Sequence, residues 1–177
     1  PTKDKLVFRR VTGGYLLSPE WSMEPGIYIA NIKTKEMEKI LERGFNAHFG
    51  ADENRLYYTS YVPDSKYTEL ELRSVNLDGE DERQLLKGDK VTEFQLSPDG
   101  KWVAYTHQNN AFVAPVLHTG TQQDLGTETG GLPVAQVSAR AGEYLSWSAD
   151  SSRLSWSHAA TVFERELNEA FSFLDGS

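Results

Sequence analysis

The chain has 177 residues, 38% of them hydrophobic and 25% charged, and it contains no cysteine. That composition suits an ordinary globular core, and it excludes disulfide staples, cysteine-based zinc sites and thiol nucleophiles. Eighteen basic against 26 acidic residues give a formal charge of −8, which argues against binding to nucleic-acid phosphates as the main role. No apolar run approaches the roughly 18 residues of a membrane span. The chain opens at Pro1 with neither Met nor a signal-peptide pattern, which fits a processed or cut chain.

In chain order, Lys5-Leu6-Val7-Phe8 reads as a strand. It is followed by a long hairpin loop, Leu17-Ser18-Pro19-Glu20-Trp21-Ser22-Met23-Glu24-Pro25-Gly26. Within that loop Trp21 and Met23 are apolar residues in a polar setting and form a candidate contact for a partner or another domain. Gly26-Ile27-Tyr28-Ile29 is the next strand. Lys35-Glu36-Met37-Glu38-Lys39-Ile40-Leu41-Glu42-Arg43, closed by Gly44, has the local look of a helix with a glycine cap. Its place in the repeat described next makes it an outer strand, and nonlocal pairing often overrides propensity.

Three later stretches share one pattern: Phe49 to Thr59, Leu96 to Thr106 and Trp147 to Ser157. Each carries a large apolar residue, a small residue, Ala or Pro, then Asp, with an aromatic six positions later and a Ser or Thr after it. The Asp positions are Asp52, Asp99 and Asp150, and the aromatics Tyr58, Tyr105 and Trp156 are spaced by 47 and 51 residues. Fifty residues before Tyr58 stands Phe8, so the chain begins within a turn of the same repeat. Apolar residues alternate before each turn (Ala47/Phe49, Phe94/Leu96, Leu145/Trp147) and again after it (Leu56/Tyr58, Val103/Tyr105, Leu154/Trp156), the period of a strand with a buried face. Ser97-Pro98-Asp99-Gly100 supplies the chemistry of the turn between them. Third strands follow at Leu70 to Val75, Phe112 to Ala114 and Val162 to Arg165, and fourth strands at Arg83 to Leu86 and Ala135 to Ser138. The Thr-, Gly- and Gln-rich stretch from Gly120 to Pro133 reads as a loop inserted between strands three and four. Leu167 to Leu174, past the last third strand, has helical character.

Four short strands in about 40–50 residues is the period of a β-propeller blade. The expected fold is therefore all-β, a partial propeller of about three and a half four-stranded antiparallel blades, where closed rings have about 4–8. The repeat divides the chain into 1–44 (an incomplete blade), 45–91, 92–142 and 143–177 (a last, partial blade). Such an arc leaves two end faces uncovered, so it belongs to a larger propeller or associates with a second arc.

Chemistry is sparse. His48, His107, His118 and His158 form neither H-x-H nor H-E-x-x-H, and they read as ordinary strand or loop residues. No G-x-S-x-G elbow offers a hydrolase nucleophile. Asp52, Asp99 and Asp150 recur at turns, where Asp stabilises the local backbone, and Tyr58, Tyr105 and Trp156 pack blades. No catalytic, cofactor-binding or metal-binding residue is assigned.

Phe94-Gln95-Leu96-Ser97-Pro98-Asp99-Gly100-Lys101-Trp102-Val103-Ala104-Tyr105 resembles the repeat of TolB-type propellers, which also stand beside catalytic domains in tricorn-like and prolyl-oligopeptidase-type peptidases. The end of the chain, Glu143 to Asp150, Leu154-Ser155-Trp156 and Phe163 to Leu174, is similar to the last blades of exported amidohydrolases, where a TolB-like propeller precedes an imidazolonepropionase-type domain. Ser151-Ser152 replaces the usual Gly after Asp, Gly50-Ala51-Asp52-Glu53-Asn54 has neither Pro before the Asp nor Gly after it, and the hydrolase's metal-binding histidines have no counterpart. The resemblance implies a noncatalytic accessory domain that scaffolds or gates a neighbouring metal-dependent hydrolase, with a divalent metal such as zinc held downstream and no cofactor in this chain. It also implies a periplasmic or secreted location. The alternatives are a protein-binding module of the TolB kind and the gating propeller of a peptidase. Expected partners are the rest of the propeller, a neighbouring catalytic domain and, for the bare arc, a second copy, with no nucleic acid and no membrane span.

Overall fold

The computed structural model describes residues 4–11, 24–52, 54–65, 69–127 and 131–171. The first sheet has three strands in the order β1 (Lys5–Arg10), β2 (Gly26–Asn31) and β3 (Met37–Leu41). The second runs from β4 (Phe45–Phe49) through β5 (Arg55–Tyr61) and β6 (Glu69–Asn76) to β7 (Arg83–Asp89). The third runs from β8 (Val91–Leu96) through β9 (Trp102–His107) and β10 (Asn110–Pro115) to β12 (Ala135–Ala141), with β11 (Gln123–Asp124) leaving it for the second sheet. The fourth is β13 (Glu143–Trp147), β14 (Arg153–His158) and β15 (Thr161–Glu166), ending in one helical turn, α1 (Leu167–Ala170). Val91, which the repeat places at the end of the second unit, opens the first strand of the third.

Alternation explains how the sheets stack. In β5, Leu56 and Tyr58 share a core with Ile27 and Val7 of the first sheet, whereas Tyr57 points the other way, into a core with Val103 and Tyr105 of the third. In β9, Val103 and Tyr105 face back toward β5 and β6, and Ala104 faces forward to Leu154 and Trp156. Side chains of period two thus give every inner sheet two buried faces, and β5 is buried along five successive residues.

The helix-like segment is a strand: β3 pairs antiparallel with β2, from Ile27↔Leu41 to Ala30↔Met37. Ile40 and Leu41 lie against the core of Ile27, Leu56 and Tyr58. The ladder and this packing outweigh the helical propensity of the Glu and Lys residues between them.

The insertion after β10 is more than a loop. Within it β11 pairs parallel with β7, Gln123↔Leu86 and Asp124↔Lys87, so the second sheet has five strands and not four. Leu125 follows, 5% exposed, in the core between the second and third sheets, and its N–H donates to Lys87 O at 2.7 Å. The Tyr105 hydroxyl donates to Gly126 O at 2.5 Å. An excursion of the third blade thereby clasps the outer edge of the second.

At the other end, α1 begins where Leu167 N–H reaches Ser152 O at 2.8 Å, and Phe171 stacks on Trp102 with ring centroids 4.9 Å apart. The chain leaves the fourth sheet after its third strand and returns over the third.

The two end faces of the arc differ. On the first sheet the face turned away from the core carries Leu6↔Ala30, Phe8↔Tyr28 and Ala30↔Met37, with Phe8 stacked on Tyr28 at 5.7 Å. Leu6 is 54% and Met37 63% exposed. On the fourth sheet the outward pairs are Ser146↔Ser155, Ser155↔Glu164, Ser157↔Val162 and Arg153↔Glu166. Arg153 and Glu164 form an ion pair at 3.3 Å. The first-sheet face is thus mainly apolar, with Arg10 and Lys39 beside Tyr28, and the fourth-sheet face mainly polar, with the exposed Val162 among its residues.

Candidate functional site

The turn aspartates are backbone locks. Asp52 Oδ1 accepts from Asn54 N–H (2.9 Å), Asp99 Oδ1 from Lys101 N–H (3.1 Å) and Asp150 Oδ1 from Ser152 N–H (3.1 Å), the same bond two residues on in each repeat. The Ser97 hydroxyl donates to Asp99 and that of Ser148 to Asp150, each at 2.6 Å. The Ser148 hydroxyl, with Ser152, holds the Asp150 carboxyl down at about 2. For Asp99, burial pushes upward, but the bonds from Ser97 and Lys101 outweigh it and the carboxyl lies below its ordinary value.

The anchor aromatics sit between sheets. Tyr58 is buried against the first sheet and its hydroxyl donates to Glu82; burial, then that carboxylate, raises its pKa. Tyr105 is fully buried, which raises its pKa. Trp156 packs toward the third sheet and stacks on Phe163 at 6.1 Å. Trp21 and Met23 lie outside the described residues.

The histidines are dispersed. The His48 ring is stacked on Tyr57 at 5.9 Å, its Nδ1 lies 3.0 Å from Asn46 O, and burial lowers its pKa. His107 meets Phe112 edge-on at 6.0 Å, His118 Nε2 lies 3.2 Å from Gly100 O, and His158 ends β14. Among the described residues no three His, Asp or Glu side chains are grouped so as to hold a metal ion.

A different set of residues comes together at one end of the first two sheets. β1 and β5 are both second strands of the repeat and finish at the same end, where β3 also hands over to β4. A hollow of about 910 Å3 opens there, lined by Arg9, Arg10, Arg43, Phe45 and Tyr61 among others. The Arg9 guanidinium lies over the Phe45 ring at 6.0 Å and that of Arg10 over Tyr28 at 5.5 Å. Phe45 and Tyr61 meet at 5.5 Å. Arg43 stands on a tight connector: Gly44 has φ 116°, and a Cβ there would come within 3 Å of both Tyr58 and Ile27. Sequence reasoning missed this site because 34 positions separate Arg9 from Arg43 and only blade packing joins them. The one local signal was the pair Arg9-Arg10 at a strand end in an acidic chain.

A second hollow, about 820 Å3, lies between the second and third sheets at the opposite end. Its charges are matched internally: Arg55 with Asp81 (2.8 Å), Arg73 with Glu71 (2.6 Å) and Glu82 (2.7 Å), and Arg83 with Asp81 (2.5 Å).

No family model matches the sequence, and no curated protein matches it. Solved structures do. An oligogalacturonate lyase in complex with manganese matches at TM-score 0.58 and 14% identity, over 93% of this chain and 45% of that one. The β-propeller domain of the trilobed protease from Pyrococcus furiosus, described as having an open velcro topology, matches at TM-score 0.51 and 9% identity, over 92% and 51%. The fold is that of a β-propeller. TolB from Acinetobacter baumannii matches at TM-score 0.50 and 16% identity, over 85% of this chain and 37% of that one. The chain thus spans about half or less of the propellers it resembles.

Proposed function

We propose that this arc is a noncatalytic segment of a larger β-propeller protein, where it scaffolds or gates a neighbouring catalytic domain. The observation that carries this reading is the apolar end face of Leu6, Phe8, Ala30 and Met37. At each sheet-to-sheet interface inside the arc, the equivalent face is covered by the forward face of the preceding sheet. The occupant we assign to it is therefore a preceding blade of the same propeller. The opposite face, with Ser155, Ser157 and Glu164 beside the exposed Val162, is more polar.

The finer reading is an accessory role in an exported amidohydrolase, with a metal such as zinc in the neighbouring domain and a periplasmic or secreted location. It rests on the resemblance of Glu143 to Asp150 and Phe163 to Leu174 to the last blades of such proteins. The test is the coding sequence on both sides. A downstream H-x-H followed by spaced His and Asp would support the amidohydrolase reading. A downstream G-x-S-x-G in an α/β-hydrolase pattern would replace it with a peptidase, and a stop codon soon after Ser177 with a docking module of the TolB kind.

A further inference from the structure

The geometry points to a binding site for a small polyanion, one bearing two or more carboxylate or phosphate groups, in the hollow lined by Arg9, Arg10 and Arg43. This is independent of which catalytic domain, if any, adjoins the propeller.

Three arginines line one cavity in a chain of net charge −8, and the Arg9 guanidinium lies over Phe45, which lines it too. Among the described residues none of the three is within ion-pair distance of a carboxylate, whereas Arg55, Arg73, Arg83 and Arg153 all are. Glu42 and Asp64 also line the hollow, but the Glu42 carboxylate is taken by Lys39 at 2.5 Å. The excess charge at the site is therefore positive. Guanidinium forks match planar carboxylates and phosphate oxygens with two parallel hydrogen bonds, which a solvated ammonium does not. The Phe45 ring, which also lines the hollow, lies under the Arg9 guanidinium, so less of that side chain's freedom is lost on binding; Arg10, over Tyr28 on the outer face, stands at the rim. At about 910 Å3 the cavity falls in the size range of small-molecule sites, roughly 300–1,000 Å3. The overall acidity disfavours a polymeric polyanion such as nucleic acid, whose many phosphates would meet the negative remainder of the surface.

The experiment is calorimetric titration of the 177-residue chain with citrate and, separately, with inorganic pyrophosphate at near-physiological salt. We expect saturable binding of at least one probe, and the stronger of the two identifies carboxylate or phosphate as the recognised group. The double variant Arg9→Ala/Arg43→Ala should weaken that binding about tenfold or more. Arg9→Lys, which keeps the charge and loses the fork, should also weaken it, by less. Thermal melting of each variant separates loss of the site from loss of the fold. Absence of binding by both probes would overturn the assignment, as would binding unchanged in well-folded variants or abolished equally by the remote control Arg153→Ala.

Discussion

The backbone N–H of Asp99 donates to the hydroxyl of Ser151 at 3.0 Å, tying the turn of the third blade to that of the fourth. Ser151 occupies the position that Gly100 holds one repeat earlier, and both have positive φ, 64° and 73°. A non-glycine residue is disfavoured there by about 1 kcal/mol, and a net hydrogen bond contributes a similar amount. The departure from the repeat is thus offset by a contact that only a side chain can make. Ser151→Gly should change stability by less than about 1 kcal/mol, because strain and bond are lost together. Ser151→Ala keeps the strain and loses the bond, and should cost about 1–2 kcal/mol in urea unfolding. Equal stability of the Ala variant and the parent would contradict this reading.

The clasp between the second and third blades makes Leu125 a core residue although it lies in a loop-like sequence. Leu125→Ala should cost about 2–4 kcal/mol, as for other buried leucines. Leu117→Ala, earlier in the same excursion and 41% exposed, should cost less than about 0.5 kcal/mol. Urea midpoints of the two variants would show the contrast, and similar small effects for both would mean that the clasp contributes little.

Much of this fold is legible in the sequence because its signals are local and repeated. Asp, aromatic and turn recur at fixed offsets, so the spacing alone matches Tyr58, Tyr105 and Trp156 as equivalent. The outer strand at Met37–Leu41 is readable only through its repeat position, since alternating Glu and Lys satisfy a helix equally well. β11 is not readable: two paired residues carry no period, and their parallel partner Leu86 lies 37 positions away. The arginine hollow is hidden for the same reason, and the polarity of the end faces needs the strand register before Ser155 and Glu164 can be assigned to one side.

Acid should loosen the packing between the second and third blades through His48. Burial lowers its pKa in the fold, so the neutral ring is favoured there. A group with a depressed folded value contributes stability that is complete above its unfolded pKa of about 6.5 and is lost as pH falls below it. Thermal stability should therefore decline from about pH 6.5 downward, and His48→Gln should flatten that decline. A pH profile unchanged by the substitution would remove His48 from the account. Asp150, held at about 2, acts separately, in the window between the ordinary carboxylate value and pH 2.

The two end faces of the arc carry a contrast, Leu6 and Met37 exposed on a mainly apolar face against Ser155 and Glu164 on a mainly polar one. Light scattering across concentration tests it directly on the 177-residue chain. With the Leu6 and Met37 face open, the chain should associate reversibly in the micromolar range, Leu6→Glu with Met37→Glu should restore a monomer, and Val162→Glu on the opposite end should have no effect. A strictly monomeric parent at high micromolar concentration, or association abolished by Val162→Glu and untouched by the Leu6 and Met37 changes, would contradict it.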